Sequence, residues 1–507
     1  MIKVKIKHAI THFFTEGTVM RKTKRIAAAA LAALTAGGMI SCGSAAGSSS
    51  ADTTTTTTAA GKELNAEQAE QVASLEDQLE DYELKNKTIK WIAHYDINPY
   101  EGAVKDPAIE LFEKKYGGKI QWVQSTWDSR FDDIATLVMS KNSPDFFPSS
   151  DMDTFPVGAV KGMFAPVDDI PNVDFDSDLW ADTVDVMNQF KFNGKRYIAV
   201  IYLAPGYTCV YNRKTIEDYG FEDPAELYHE GKWDWKVFYD MCVEFNDTEG
   251  TRSGIDGYGY TNAICETCGI PIIGYENDQL VNNMDDPRIE KVQNFMYELG
   301  KQNVMFDRST NNWYTRGDGT TGYGLGTYET LFIPVGLWAL ELPAEKTEPF
   351  GDVEAGEIMF CPMPKDPDGD KYYVSTRFEG YVMCRDAPNP EGLGAFLNCS
   401  MVCLDSTQNI KEETFLNEYK WTQEMVDMRR EILDLCKTNY VFNISSGISS
   451  EMNAALQNVT QATMVTGGNS ETWTECKEEY GNMINFYLKE MNEKLKTVAE
   501  TGEFEQS

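Results

Sequence analysis

The residues of this 507-residue chain with chemistry to offer are aromatic rings, carboxylates and amides placed just after apolar runs. Tyr95, Asp96 and Asn98 follow residues 89–93, and Trp127 and Asp128 follow residues 120–123. Ser149 and Asp151 come after Phe146 and Phe147, and Tyr207 follows Ala204-Pro205-Gly206, where a long apolar run breaks. Ring faces stack on the CH faces of a sugar while carboxylates and amides bond its hydroxyls, so this set suits a neutral polyol. Carboxylates without matching Arg or Lys favour such a ligand over an anion. Paired carboxylates and aromatic rings also equip a glycoside hydrolase. A surface glycosidase, a binder of peptide or another solute, and an adhesive surface protein therefore stay open as alternatives.

Other chemistries find little support. Beyond residue 42 only His94 and His229 remain, few candidates for a triad or a His-rich metal site. Cys265-Glu266-Thr267-Cys268 is a C-x-x-C without a second pair at finger spacing, and Cys399 and Cys403 sit within one helical stretch. Pairing of the ten cysteines after Cys42 is not deducible, because exported disulfides and thiols kept reduced in an anaerobic cell fit equally well. Asp366, Asp368 and Asp370 are spaced like a calcium loop, but Gly369 is out of place and Arg377 stands where the bidentate acid belongs. Gly317 to Gly322 spells GxGxxG with no strand before it or helix after it, and reads as a loop. No catalytic residue, metal or cofactor is implied.

The candidate residues need elements to hold them. The pattern predicts a strand over 89–93, a helix over 107–116 stopping at Gly117-Gly118, a strand over 120–123 and a helix over 130–140. This is the βαβ order of a mainly parallel sheet, whose ligands gather at the carboxyl ends of strands. The organising stretch is residues 192–214, FNGKRYIAVIYLAPGYTCVYNRK. It holds an Asn193-Gly194 turn, then an apolar strand broken at Ala204-Pro205-Gly206 that resumes over residues 207–211. One long strand broken at its middle can pass between two bodies. Together with FEKKYGGK, SPDFF and VKGMFAPVDD, in the same order and spacing, it resembles the first inter-lobe crossover of extracellular solute-binding proteins of ABC transporters, in the large family that carries sugars. The resemblance covers most of residues 88–401.

That resemblance implies an α/β, two-lobe periplasmic-binding-protein-like fold of type II, with two mainly parallel lobes joined by crossover strands and a hinge. Residues 88–203 and 365–410 would form the first lobe, and residues 204–364 and 411–507 the second. The implied work is capture of a sugar or oligosaccharide in the inter-lobe cleft and delivery to a permease, binding rather than catalysis. By the same resemblance, YGLGTYE puts Tyr328 and Glu329 near the ligand. The strand carrying Arg377, Phe378 and Glu379 faces the cleft, with Arg377 either paired to Glu379 or binding an acidic sugar. GKWDWKVFYDMCVEF resembles the family's helix start in the second lobe, where Trp233 and Trp235 are read as packing residues. Residues 357–364 read as a strand returning to the first lobe, residues 364–373 as a hairpin turn, and residues 443–473 as a loop over the cleft.

Residues 1–41 read as a signal peptide. Arg21, Lys22, Lys24 and Arg25 precede about 15 apolar residues, fewer than the roughly 20 a spanning helix needs. The run ends in Met39-Ile40-Ser41-Cys42, which resembles a bacterial lipobox and implies a lipid on Cys42; the start is Met1 or Met20. Residues 42–61 form a disordered tether, and residues 62–87 one amphipathic helix with Val72, Leu75, Leu79 and Tyr82 at 3-4-3 spacing. Losing the leader's seven Lys/Arg and one acid takes the net charge from −35 to −41, a polyanion that repels nucleic acid and anionic lipid. The expectation is an exported monomer, lipid-anchored to the outer face of the bacterial cytoplasmic membrane. Its partners would be a small-molecule ligand and permease subunits, with no nucleic acid.

Overall fold

The computed structural model describes residues 61–100, 103–247, 251–307, 324–465 and 469–504. The leader, Cys42, nearly all of the tether and the GxGxxG segment lie outside these residues.

The first sheet grows from Thr88–Ala93, which pairs in parallel with Lys119–Gln124 and with Phe146–Pro148. The intervening helix Pro107–Tyr116 has the bounds its sequence signals predict: the Asp106 side chain caps the Ala108 N–H, Pro107 opens the first turn, and Gly117 ends it at φ 62°. Only a residue free of a Cβ adopts that left-handed turn at no steric cost. The long strand Val374–Cys384 runs antiparallel to Phe146–Pro148 on one side and to Ala199–Pro205 on the other. Trp91, Phe146, Phe147 and Phe112 are fully buried beneath this sheet.

The second sheet has the order Ile358–Cys361, Thr208–Asn212, Thr330–Val335, Ser253–Ile255. Ala199–Pro205 therefore belongs to one sheet and Thr208–Asn212 to the other, with only Gly206 and Tyr207 between them. The break in residues 192–214 is the first inter-lobe crossing. Asn193 (φ 50°) and Gly194 (φ 72°) make the turn that leads into it. The Gly206 N–H donates to the Ser375 carbonyl at 2.7 Å, and a Cβ on Gly206 would lie 2.8 Å from Ser375 Oγ. The two crossings thus touch closely enough that a side chain at residue 206 would have to push the Ser375 hydroxyl aside.

Several expectations need correcting. Ile358–Cys361 pairs with Thr208–Asn212 in the second sheet, so residues 362–373 are not a hairpin turn but the second crossing. The amphipathic segment is helical only over Ala66–Ala73, followed by a short turn at Glu76–Gln78. Glu76, Asp77, Glu80 and Asp81 bring like charges together there, and Val72, Leu75 and Leu79 are buried without needing a longer helix. Residues 443–473 are no loop over the cleft, since Ser450–Ala462 is a helix and Trp473, fully buried, begins the helix Trp473–Thr501. Trp233 and Trp235 are core residues as read, 0% and 3% exposed. Asp366 and Asp368 both accept from the Lys291 ammonium, which neutralises the acidic loop. All ten cysteines after Cys42 are free, buried thiols. No helix among the described residues is long and apolar enough to cross a membrane.

The last helix and one hairpin tie the lobes together along a flank. The hairpin Ile273–Glu276/Gln279–Asn282 leans on the first lobe, where the Tyr275 hydroxyl donates to the Lys191 carbonyl at 2.9 Å and its ring meets Phe155 and Phe190. The helix Trp473–Thr501 holds the Leu280 backbone through both ends of the Asn492 amide. Just beyond it, the Phe504 ring lies 3.6 Å under the Arg385 guanidinium of the first lobe.

Candidate functional site

The return strand Val374–Cys384 alternates buried and half-buried residues, so Arg377, Glu379 and Tyr381 share the face opposite Phe378. Tyr202, on the neighbouring hinge strand, is the register partner of Glu379. Arg377 Nη2 and Glu379 Oε1 form an ion pair at 2.5 Å. Over this floor, the strand ends of the first lobe bring Tyr95 and Asp151. The Tyr95 ring is 38% exposed, with its edge against Trp91 at 5.6 Å. Burial, then Asp151 and Glu379, hold its hydroxyl well above the usual range. Burial also raises the Asp151 carboxyl, against the pull of Arg130 and Arg377. The half-buried Trp127 ring carries the Arg130 guanidinium at 3.8 Å and the His94 edge at 5.1 Å, and Arg130 pairs with Asp153. Tyr207 sits in the crossing itself, against Gly259, where a Cβ would lie 2.2 Å from its ring.

Not every residue singled out from the sequence joins this group. Asp96 and Asn98 bond one another, and the Asn98 amide also donates to the Ile120 carbonyl. Ser149 is fully buried, holding the return strand through its N–H to the Gly380 carbonyl. Asp128 is exposed on the turn before Arg130–Met139. Tyr328 and Glu329 lie at the wrong end of their strand. Thr330–Val335 runs antiparallel to Thr208–Asn212 with Val335 opposite Thr208, so its last residue is beside the hinge and Tyr328 is remote from it. There the Tyr328 hydroxyl reaches Glu357 at 3.4 Å and the Glu329 carboxylate accepts from Thr327.

The second lobe contributes residues that the sequence reading missed. Trp338, 36% exposed, follows Gly336, whose Cβ would lie 3.0 Å from the Gly206 carbonyl oxygen, so the ring stands beside the hinge. Its signal was an apolar strand ending in Gly-Leu-Trp. Glu341 pairs with Arg429 Nε at 2.6 Å. Burial alone would raise the Glu341 carboxyl, but Arg429 and Lys411 hold it down at about 2. Arg429 was also detectable: it lies four residues after Met425 and three before Ile432, on the buried stripe of Gln423–Thr438. A charge on a buried stripe must be paired.

Six buried polar atoms around this cleft have no hydrogen-bond partner among the described residues: Asp151 Oδ2, Asp153 Oδ1, Arg130 Nε, Arg377 Nε, Arg429 Nη1 and His94 Nδ1. Leaving such groups unpaired is costly, so their concentration in one place points to a ligand site. A depression of about 390 Å³ opens on the outer face of the second lobe, lined by Ile216, Asp223 and Leu227 among others. Its Arg213 already pairs with Asp223 and Glu424, and it lies at the end of Thr208–Asn212 remote from the hinge. The cleft is therefore the candidate.

Behind the cleft, Glu266 is 3% exposed, and its Oε1 accepts from Asn443 at 2.8 Å. Ser375, at the second crossing, lies near enough to favour its charged form, and Tyr207, at the first, feels its charge. Burial pushes its carboxyl up to about 7, against the pull of Ser375 and Asn443. Unfolded, the group ionises near 4.5, so between these values the folded state holds the extra proton. The stability this proton confers is complete below pH 4.5 and lost as pH rises through about 7, a change of roughly 3 kcal/mol. Melting curves from pH 5 to 8 should show wild type losing stability faster than Glu266→Gln; parallel curves would contradict the assignment.

The family of bacterial extracellular solute-binding proteins matches residues 108–408. No curated protein sequence matches the chain. Solved structures share its fold. An ABC substrate-binding protein of Listeria monocytogenes in complex with cycloalternan superposes with a TM-score of 0.56 at 14% identity, covering 81% of this chain and 100% of its own. A solute-binding protein from Thermotoga lettingae bound with alpha-D-tagatose gives 0.57 at 17%, covering 80% and 100%. A receptor of Streptomyces glaucescens, solved unliganded and with acarbose, gives 0.56 at 15%, covering 81% and 99%.

Proposed function

We propose, on the premise that this chain belongs to the bacterial extracellular solute-binding protein family, that it captures a sugar or oligosaccharide between its lobes and delivers it to the permease of an ABC transporter. The observation that carries this reading is the set of unpartnered buried polar atoms facing exposed rings in one cleft. Sugar hydroxyls supply both donors and acceptors for such atoms, and the rings of Tyr95, Trp127 and Trp338 offer stacking faces. Contacts from Asp151, Tyr207, Arg377 and Glu379 complete the site we propose. The saccharides held by the Listeria and Thermotoga proteins of like fold support the choice of ligand. Native mass spectrometry of the protein with a library of oligosaccharides tests it. The expected result is an intact saccharide retained by wild type and lost in Asp151→Ala. Folded protein that retains none, or that returns cleaved sugars, would overturn the reading.

We further propose that Cys42 carries a lipid, leaving the binding lobes on a tether at the outer face of the membrane. The motivation is Met39-Ile40-Ser41-Cys42 ahead of a Ser/Thr-rich tract. Cys42→Ala should leave the protein released or unprocessed in detergent-phase partitioning, whereas continued quantitative partitioning into detergent would remove the anchor.

A further inference from the structure

Three ion pairs line the cleft: Arg130 with Asp153, Arg377 with Glu379, and Arg429 with Glu341. Two charges are left over. One is Asp151, with a buried carboxylate oxygen that has no partner. The other is Lys411, on Gln408–Glu413, whose ammonium has no hydrogen-bond or ion-pair partner among the described residues. It lies 5.4 Å from the Tyr202 ring and 6.0 Å from the Phe415 ring, and the Arg429 guanidinium lies over that same Phe415 ring at 5.0 Å. Arg429 is 3% exposed, and its Nη1 is buried without a partner. The cleft is thus polarised. Beside Tyr202, Lys411 and Arg429 are two cations near the one carboxylate of Glu341, with Glu379 already held by Arg377; towards Tyr95, Asp151 lies near Arg130 and Arg377, each of which already holds another carboxylate.

We infer that the cleft is built for a saccharide carrying a carboxylate, a uronic acid unit, with its ring hydroxyls on Asp151 and its carboxylate between Lys411 and Arg429. This inference rests on the saccharide reading above and deepens it. A neutral sugar would leave the spare ammonium beside Arg429 with no carboxylate bonded to it, whereas a carboxylate makes charge-assisted bonds to both cations. Arg429 has its Nε committed to Glu341, which leaves a buried Nη1 beside one ammonium. That donor set matches one singly charged carboxylate rather than a dianionic phosphate. Burial and Arg429 pull the Lys411 pKa down, and an arriving carboxylate would raise it again. The sequence-based preference for a neutral ligand counted only the carboxylates near the first-lobe strand ends; Lys411 and Arg429 reach the cleft from helices of the C-terminal part.

Calorimetry with the full chain tests this, using oligouronates paired with neutral oligosaccharides of the same linkage, and a zwitterionic dipeptide as a third probe. The uronates should bind about tenfold or more tightly than their neutral counterparts, and less tightly as salt rises. Lys411→Met should lose about 10- to 100-fold on the uronate and far less on the neutral sugar, while Lys411→Arg keeps the preference. Neutral sugars binding as tightly as uronates in wild type, with Lys411→Met silent, would overturn this inference and leave the saccharide reading standing. Binding of the dipeptide alone, or of none of the probes, would overturn both. The wild-type comparison decides the matter even if the variant does not fold.

Discussion

Trp233→Ala is expected to lower the unfolding free energy by about 3–5 kcal/mol while leaving ligand affinity unchanged. The ring is fully buried, with Phe238 and Phe332 at 5.9 and 5.6 Å, so its removal opens a cavity that those stiff neighbours fill poorly. Its indole N–H also donates to the Pro362 carbonyl at 2.9 Å, fixing the start of the second crossing. Losing that donor strands a buried acceptor, which adds to the cavity cost. Against a total stability of about 5–15 kcal/mol for a typical domain, the effect is large. Denaturant titration and calorimetry on the same preparation separate the two roles. A variant of normal stability with weakened sugar binding would instead make Trp233 a ligand platform.

Arg377→Ala should be comparably severe and should abolish binding as well. The guanidinium is the cation shared by Glu379, its ion-pair partner, and Asp151. Its side chain is 20% exposed, so solvent does little to stabilise the two carboxylates once it is gone. Removing one partner of a buried pair typically costs about 3–5 kcal/mol, whereas removing both can be nearly neutral. The double variant Arg377→Ala/Glu379→Ala should therefore recover much of the loss, and the pair should show a coupling energy in a double-mutant cycle. The single variant should also gain relative stability as pH falls, because protonating Asp151 relieves its repulsion with Glu379. Additive losses with no such pH effect would mean that the ion pair does not hold the floor of the cleft.

Much of the scaffold could be read from local chemistry. Asp106-Pro107 and Gly117 bound a helix wherever it packs, and Asn193-Gly194 makes its turn from backbone preferences alone. The apolar strand broken at Gly206 revealed a crossing, because no strand that stays within one sheet needs such a break in its apolar run. Placement around the hinge was less legible. Residues 364–373 have the Gly and Asp content of a hairpin turn, and only the pairing of Ile358–Cys361 with Thr208–Asn212 makes them a crossing. Tyr328 and Glu329 adjoin the right strand, but which end of that strand meets the hinge depends on its antiparallel partner.

The sequence by itself determined the bounds of helices such as Pro107–Tyr116, turns such as Asn193-Gly194, and that two lobes are joined by a broken strand, since period, caps and turn residues act over a few positions. It also held the first-lobe half of the site we propose, Tyr95, Trp127 and Asp151, because these sit at the ends of strands whose parallel order is dictated by the helices between them. Only the tertiary structure decided the charge of the site. Glu341 and Arg429 are 88 positions apart, and Lys411 meets Tyr202 across more than two hundred. An ion pair between such distant groups leaves no periodicity to read. It exists because two crossings bring a helix of the C-terminal part against the hinge strand, where a low dielectric makes each unpaired charge count.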